Sequence, residues 1–147
     1  MVRMVQFTIL GEPGNKSNGR QPVVINGSPR IIKSKKALSY EKSFRAQLPV
    51  FPELLEGPVE AYLTIWNSSR RPDLDAELIY DLMQYEPVGA PRGKWRDGKG
   101  VYLNDRQVRR KYLDWGIDKE LPRTEILIRE NPSLHPTLKI VRSKRTE

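Results

Sequence analysis

The sequence predicts a single small α+β domain, a mixed β-sheet carrying two helices in the order β-α-β-α-β-β. Three observations predict it. Short runs of β-branched and aromatic residues stop at clusters of Gly, Pro, Asn and Ser. Two stretches with helical spacing lie between them, and no segment repeats. The 147 residues suffice for one core.

Met4 to Leu10 (MVQFTIL) reads as the first strand, closed by Gly11-Glu12-Pro13-Gly14. A polar loop follows to about Arg30, in which Pro22 to Gly27 suits a short hairpin. From Ser34 the pattern turns helical, with Leu38, Phe44, Ala46 and Leu48 on one stripe and Pro49 as the stop. Pro58 to Trp66 (PVEAYLTIW) is the clearest strand. Leu74, Leu78, Leu82 and Tyr85 then repeat on one helical face. Asp75 would fall inside that apolar stripe, where an unpaired carboxylate is costly, so the helix is expected to begin after it with Asp75 as N-cap. Glu86 to Gly100 reads as a long exposed loop. Val108 to Trp115 and Glu125 to Arg129 read as two last, adjacent strands. Residues 1–130 form the expected domain, and 131–147 a basic tail containing prolines.

Composition narrows the function. The chain carries 26 Lys+Arg against 18 Asp+Glu, a formal net charge of +8, which favours a polyanionic partner such as nucleic acid. With no cysteine, a disulfide framework, a thiolate zinc site and a Cys nucleophile are excluded, and one histidine, His135, excludes a two-imidazole site. No apolar run approaches ~18 residues, so no membrane span is expected. The opening MVRMVQFTIL lacks an apolar core region and cleavage site, so no secretory signal is expected either. A soluble, reducing, cytoplasmic setting is the simplest expectation.

The chemistry lies with acids set among basic runs. Asp73 and Asp75 alternate across Leu74 directly after Arg70-Arg71-Pro72, and Asp105 stands before a strand in Tyr102-Leu103-Asn104-Asp105-Arg106-Gln107-Val108. Two carboxylates about 5 Å apart repel by roughly 3 kcal/mol at an effective dielectric near 20, so three gathered together need a cation. Oxygen ligands favour Mg²⁺ or Mn²⁺ and suit phosphodiester hydrolysis. The plainer alternative is that Asp75 is only a helix cap and Asn104-Asp105 only a turn.

In this order the fragments resemble the RusA-type Holliday-junction resolvases. The resemblance runs over about residues 5 to 129. It covers the first strand with its Gly11-Glu12-Pro13 loop, Ser39-Tyr40-Glu41-Lys42, the Pro58 to Trp66 strand, Arg70 to Asp75, and Leu103 to Val108. It implies a RusA-like fold and a homodimeric, Mg²⁺-dependent endonuclease that resolves branched DNA in a bacterial or phage-infected host cytoplasm. Asp73, Asp75 and Asp105 match the family's metal-binding, catalytic aspartates. Three departures stand out. Ala76 replaces the family's Asn, Asn104 the first Asp of the second motif, and Ile79 the lysine one helical turn on. Lys94, Lys99 or Glu77 are the candidates to compensate for that lysine.

Cations flank both acidic motifs, and Lys16, Arg20, Arg30, Lys33, Lys35, Lys36, Arg70, Arg71, Arg92, Arg96, Arg106, Arg109 and Arg110 are the candidate DNA contacts. Trp95, among loop cations, suits either stacking on an unpaired base or a core anchor. Trp66, Trp115, Tyr80 and Tyr85 read as packing residues. Two non-enzymatic alternatives stay open: a branched-DNA-binding module on the same fold, and an assembly protein whose basic face meets an acidic partner.

Overall fold

The computed structural model describes residues 2–14, 20–70, 74–89 and 95–134, with Arg20 described by its backbone alone. In chain order the elements are β1 (Met4–Leu10), β2 (Arg20–Ile25), β3 (Ser28–Lys33), α1 (Lys35–Gln47), β4 (Val59–Asn67), α2 (Ala76–Leu82), a 3₁₀ turn (Asp105–Gln107), β5 (Val108–Ile117) and β6 (Arg123–Glu130). Four strands form one mixed sheet in the order β1-β6-β4-β5. Strand β6 runs antiparallel to both β1 and β4, whereas β5 is parallel to β4, which demands the crossover that α2 supplies. Strands β2 and β3 form a separate two-stranded ribbon turned at Asn26-Gly27, both at positive φ. Among the described residues no helix is long and apolar enough to cross a membrane.

Several boundaries follow from local chemistry. The Ser34 hydroxyl accepts the Ala37 N–H at 3.2 Å and starts α1, while Pro49 follows its end. The helix turns Ala37, Tyr40, Phe44 and Leu48 inward, not the expected stripe, since Leu38 and Ala46 are exposed. The i, i+3, i+4 spacing of 37, 40, 44 and 48 gives the better face. Helix α2 is short, ending at Leu82, so Tyr85 lies beyond it and is half-buried.

The core lies on one face of the sheet. Val59, Ala61, Leu63 and Ile65 of β4, Ile126 and Ile128 of β6 and Ile9 of β1 pack against Tyr40, Phe44, Leu48, Ile79, Leu82 and Met83. Each large apolar side chain so buried contributes about 1.5–3 kcal/mol. The period of two explains why Trp66 is not a core residue. It points to the open face, where its Nε1 donates to Glu125 at 2.8 Å and the Arg123 guanidinium lies over its ring. Trp115 is also exposed, because β5 is an edge strand that the helices do not cover. Strands β5 and β6 are not neighbours either. The apolar β4 takes the centre between them, and the connection between Ile117 and Arg123 steps across its end.

The segment after α2 is an excursion fastened at its base. Glu86 and Lys99 form an antiparallel bridge, and the return leg buries Val101 and Tyr102 completely. Arg45 of α1, only 2% exposed, holds this base. Its Nη1 donates to the carbonyls of Leu82 (2.7 Å) and Gln84 (3.2 Å), its Nη2 to that of Lys99 (3.0 Å), and the guanidinium pairs with Asp97. Gly100 is required by close approach, since a Cβ there would sit 2.3 Å from Tyr85 Cα. Because backbone must then move, Gly100→Ala is expected to destabilise by several kcal/mol, read as a lower urea midpoint at unchanged slope.

On the open face, Glu60 is buried beneath its partners. It accepts from Arg129 (2.6 Å), Asn131 (2.7 Å) and the Tyr62 hydroxyl (3.0 Å), and Arg129 foremost holds its carboxyl down at about 2. A carboxyl with a lowered folded-state pKa stabilises the fold fully above its unfolded value of 4.5 and loses that contribution as pH falls towards 2. Glu60→Gln is therefore expected to flatten the fall in urea midpoint between pH 4.5 and 2.5. An unchanged fall would show that other groups govern the acid limb.

Candidate active site

The site grows from the two ends of α2. At its start, Asp75 Oδ1 accepts the Leu78 N–H at 3.2 Å, the expected N-cap, and the Asp75 N–H reaches the Gly14 carbonyl at 3.3 Å. The second oxygen of Asp75 makes no hydrogen bond among the described residues. Glu77 and Asp81 follow, exposed, along the helix. Beyond its end, Gln84 links Asp81 to the second acidic motif. Its Nε2 donates to Asp81 Oδ1 (2.9 Å), and its Oε1 accepts the Asp105 N–H (2.9 Å).

The second motif is a 3₁₀ turn whose polar groups are mostly committed to the turn itself. Asn104 Oδ1 accepts the Arg106 N–H at 2.8 Å. Gln107 Oε1 accepts the N–H groups of Leu103 (3.0 Å) and Asn104 (3.1 Å), forming a capping box. Gln107 Nε2 donates to the Leu55 and Gly57 carbonyls, both at 3.0 Å, which fixes the turn on the body of the domain. The Asp105 carboxylate alone of these side-chain acceptors makes no hydrogen bond among the described residues, and it is half-exposed.

Two buried tyrosines back this surface. Tyr102 donates its hydroxyl to the Tyr80 carbonyl at 2.6 Å. Burial first, then Asp105, Tyr80, Asp81 and Glu77, push the Tyr102 hydroxyl well above its usual pKa. The Tyr80 hydroxyl is pushed up to about 12 by burial and by Glu77.

A cation enters from β5. Lys111 Nζ lies 3.1 and 3.2 Å from the two Glu77 oxygens and 4.6 Å from the centre of the Tyr80 ring. Sequence reasoning placed Lys111 only in the basic run after Asp105 and gave it no part in the site, because its partner is 34 residues away and nothing local announces the pairing. Ile79, at the position of the family lysine, is fully buried in the core. Lys99 stands elsewhere. Its Nζ donates to the Arg45 and Ala46 carbonyls at the C-terminus of α1 (3.0 and 3.4 Å).

The other sequence-predicted residues distribute as follows. Asp73, Lys16, Arg71, Arg92 and Lys94 lie outside the described residues, as does the Arg20 side chain. Arg30 is exposed on the β2–β3 ribbon, Lys35 and Lys36 in the first turn of α1, and Arg70, Arg96 and Arg106 in connections. Lys33 pairs with the buried Glu41 at 3.0 Å. Arg109 is half-buried, Arg110 lies 3.6 Å from Glu60, and Trp95 is half-buried.

Among the described residues no three His, Asp or Glu side chains form a group able to hold a metal ion. Asp75 at the start of α2 and Asp105 beyond its end each keep carboxylate oxygens without a hydrogen bond among the described residues, and oxygen donors of this kind suit a hard divalent ion such as Mg²⁺, though no contact among the described residues joins the two. Compared with models of known protein families and with curated proteins, the chain matches none.

Proposed function

We propose that the protein is a Mg²⁺-dependent endonuclease of the RusA type, acting on four-way junctions and other branched DNA as a homodimer. The observation that carries this reading is the Asp105 carboxylate. Its turn commits Asn104 and Gln107 to hydrogen bonds of structure, yet leaves this acid without one among the described residues, while Gln84 ties the Asp105 backbone N–H to Asp81 of α2. An acid so placed beside a basic surface suits metal-assisted hydrolysis better than structure.

In this reading Asp75 and Asp105, with Asp73, hold the ion. When bound, it supplies Lewis-acid activation of water and of the scissile phosphate. Asp75 holds the Leu78 N–H with one oxygen, and its other oxygen has no hydrogen bond among the described residues. Lys111, steadied by Glu77 and Tyr80, gives the site the positive charge that Ile79 cannot. The exposed Arg30, Lys35, Lys36, Arg70 and Arg106 gather phosphates, each contact steepening the log–log salt dependence of duplex binding by about 0.9.

A second reading, a branched-DNA-binding module without chemistry, is favoured by one observation: Asp75 already serves as the cap of α2. An end-labelled four-way junction incubated with Mg²⁺ and with EDTA separates the two. The nuclease reading expects paired nicks in Mg²⁺ alone, whereas tight binding without nicks after long incubation would leave the module.

A further inference from the structure

The β2–β3 ribbon stands apart from the four-stranded sheet, and none of its described residues joins the core. From Gln21 to Ile32 every residue except the half-buried Val23 is exposed. Its two faces differ. The opposed pairs Pro22–Ile31 and Val24–Pro29 share one face, on which Val24 is 72% and Ile31 69% exposed. Gln21 and Arg30 stand on the other. Between Glu12 and Glu41 the chain has six cations and no acid. Of these, Arg30, Lys35 and Lys36 are exposed and have no ion pair among the described residues.

The base of the ribbon lies at the candidate active site. The chain leaves towards it from Gly14, whose carbonyl accepts the Asp75 N–H at 3.3 Å, and returns into α1 at the Ser34 cap. The stem of Lys36 lies against Gly14, its Cε 3.8 Å from where a Cβ would stand. Each strand has six residues. At about 3.3 Å per residue the Asn26-Gly27 tip stands roughly 20 Å along the ribbon, the length of about six base pairs.

We propose that this ribbon lies in the minor groove of one arm of the bound DNA, where its Pro22, Val24, Pro29 and Ile31 face wedges open a base step and bends the duplex. The chemistry of the face selects that occupant. A major groove is read by hydrogen-bond donors and acceptors, and these four side chains carry none. Apolar side chains, isoleucine and proline among them, part base steps from the minor-groove side. The cost of unstacking is offset by the contacts that a bent duplex brings to the protein. Arg30, Lys35 and Lys36 stand ready to take those phosphates. An arm built for a lipid surface carries aromatic anchors, and there is none between Phe7 and Tyr40. The proposal rests on the reading that the protein binds branched DNA, not on its cutting it.

Permanganate, which oxidises unstacked thymines, tests it on a four-way junction with A·T-rich arms, in EDTA and at saturating protein. The wild type is expected to make thymines reactive within one arm, several base pairs from the branch. Val24→Ser with Ile31→Ser is expected to abolish that reactivity and weaken binding roughly tenfold, at unchanged salt slope because every cation remains. Both side chains are exposed, so the urea midpoint should not move. Val24→Leu with Ile31→Leu preserves the wedge and is expected to keep the reactivity. Arg30→Gln should show the opposite signature, a salt slope shallower by about 0.9 with the thymines still reactive. Junction binding that leaves arm thymines unreactive, or reactivity that survives the serine pair, overturns the proposal and leaves the DNA reading standing. A wild type that binds no junction overturns both, and binding to phosphatidylserine vesicles through Val24 and Ile31 would then assign the arm to a lipid surface.

Discussion

Arg45→Ala is expected to destabilise the protein by about 3–5 kcal/mol, as large as any single change in the fold. The guanidinium is 2% exposed and satisfies three carbonyls at once, those of Leu82, Gln84 and Lys99, besides pairing with Asp97. Its loss strands buried acceptors and leaves Asp97 without its partner. Arg45→Lys cannot reproduce the fork of donors and is expected to recover little. Because the segment it fastens leads through Val101 and Tyr102 to Asp105, the damage should reach the site as well. Urea unfolding followed by circular dichroism checks this. A loss below about 1 kcal/mol would mean that water replaces the guanidinium and that the excursion is held by its own bridge.

Asp75→Asn is expected to separate structure from chemistry. Asparagine caps a helix about as well as aspartate, so α2 should remain and stability should change by only a few tenths of a kcal/mol. The charge that an oxygen-ligated cation requires disappears, and cleavage of a junction should fall by at least about a hundredfold, an effect of about 2.7 kcal/mol on the barrier. Binding should persist or tighten, because a charge repelling phosphate has gone. Asp73→Asn is expected to behave alike. An Asp75→Asn protein that unfolds early yet cuts normally would make Asp75 a cap and nothing more.

How much of this was legible depended on the range of the interaction. Ser34 and Pro49 bracketed α1, Asp75 announced the start of α2, and the alternation in Pro58 to Trp66 marked β4, since each is a signal carried within a few residues. The ribbon was legible only in part: the short hairpin expected within Pro22 to Gly27 is instead the first strand and turn of a ribbon whose second strand, Ser28–Lys33, lies where a polar loop was expected. The order of the sheet was not legible, because β5 and β6 are neighbours in sequence and only the burial of β4 on both edges separates them. Trp66 was misplaced by taking an aromatic in a strand as core without counting its parity against Leu63 and Ile65. Arg45 and Glu60 escaped notice because a buried charge is recognised by its partners, which come from 52 and 69 residues away. The site divides in the same way. Asp75 and Asp105 stood out by motif, whereas Lys111, Gln84 and the two backing tyrosines are assembled by the fold.

The most direct test compares two acids of the same surface in one assay. Asp105 has no hydrogen bond to its carboxylate among the described residues, whereas Asp81, linked to it through Gln84, accepts one from the Gln84 amide. A labelled four-way junction is incubated in Mg²⁺ with the wild type, with Asp105→Asn and with Asp81→Asn, and strand scission is followed beside binding. The expected result is that Asp105→Asn binds the junction without cutting it, while Asp81→Asn nicks it within a few-fold of the wild-type rate. Cutting by Asp105→Asn at the wild-type rate would contradict the assignment of this carboxylate to the chemistry.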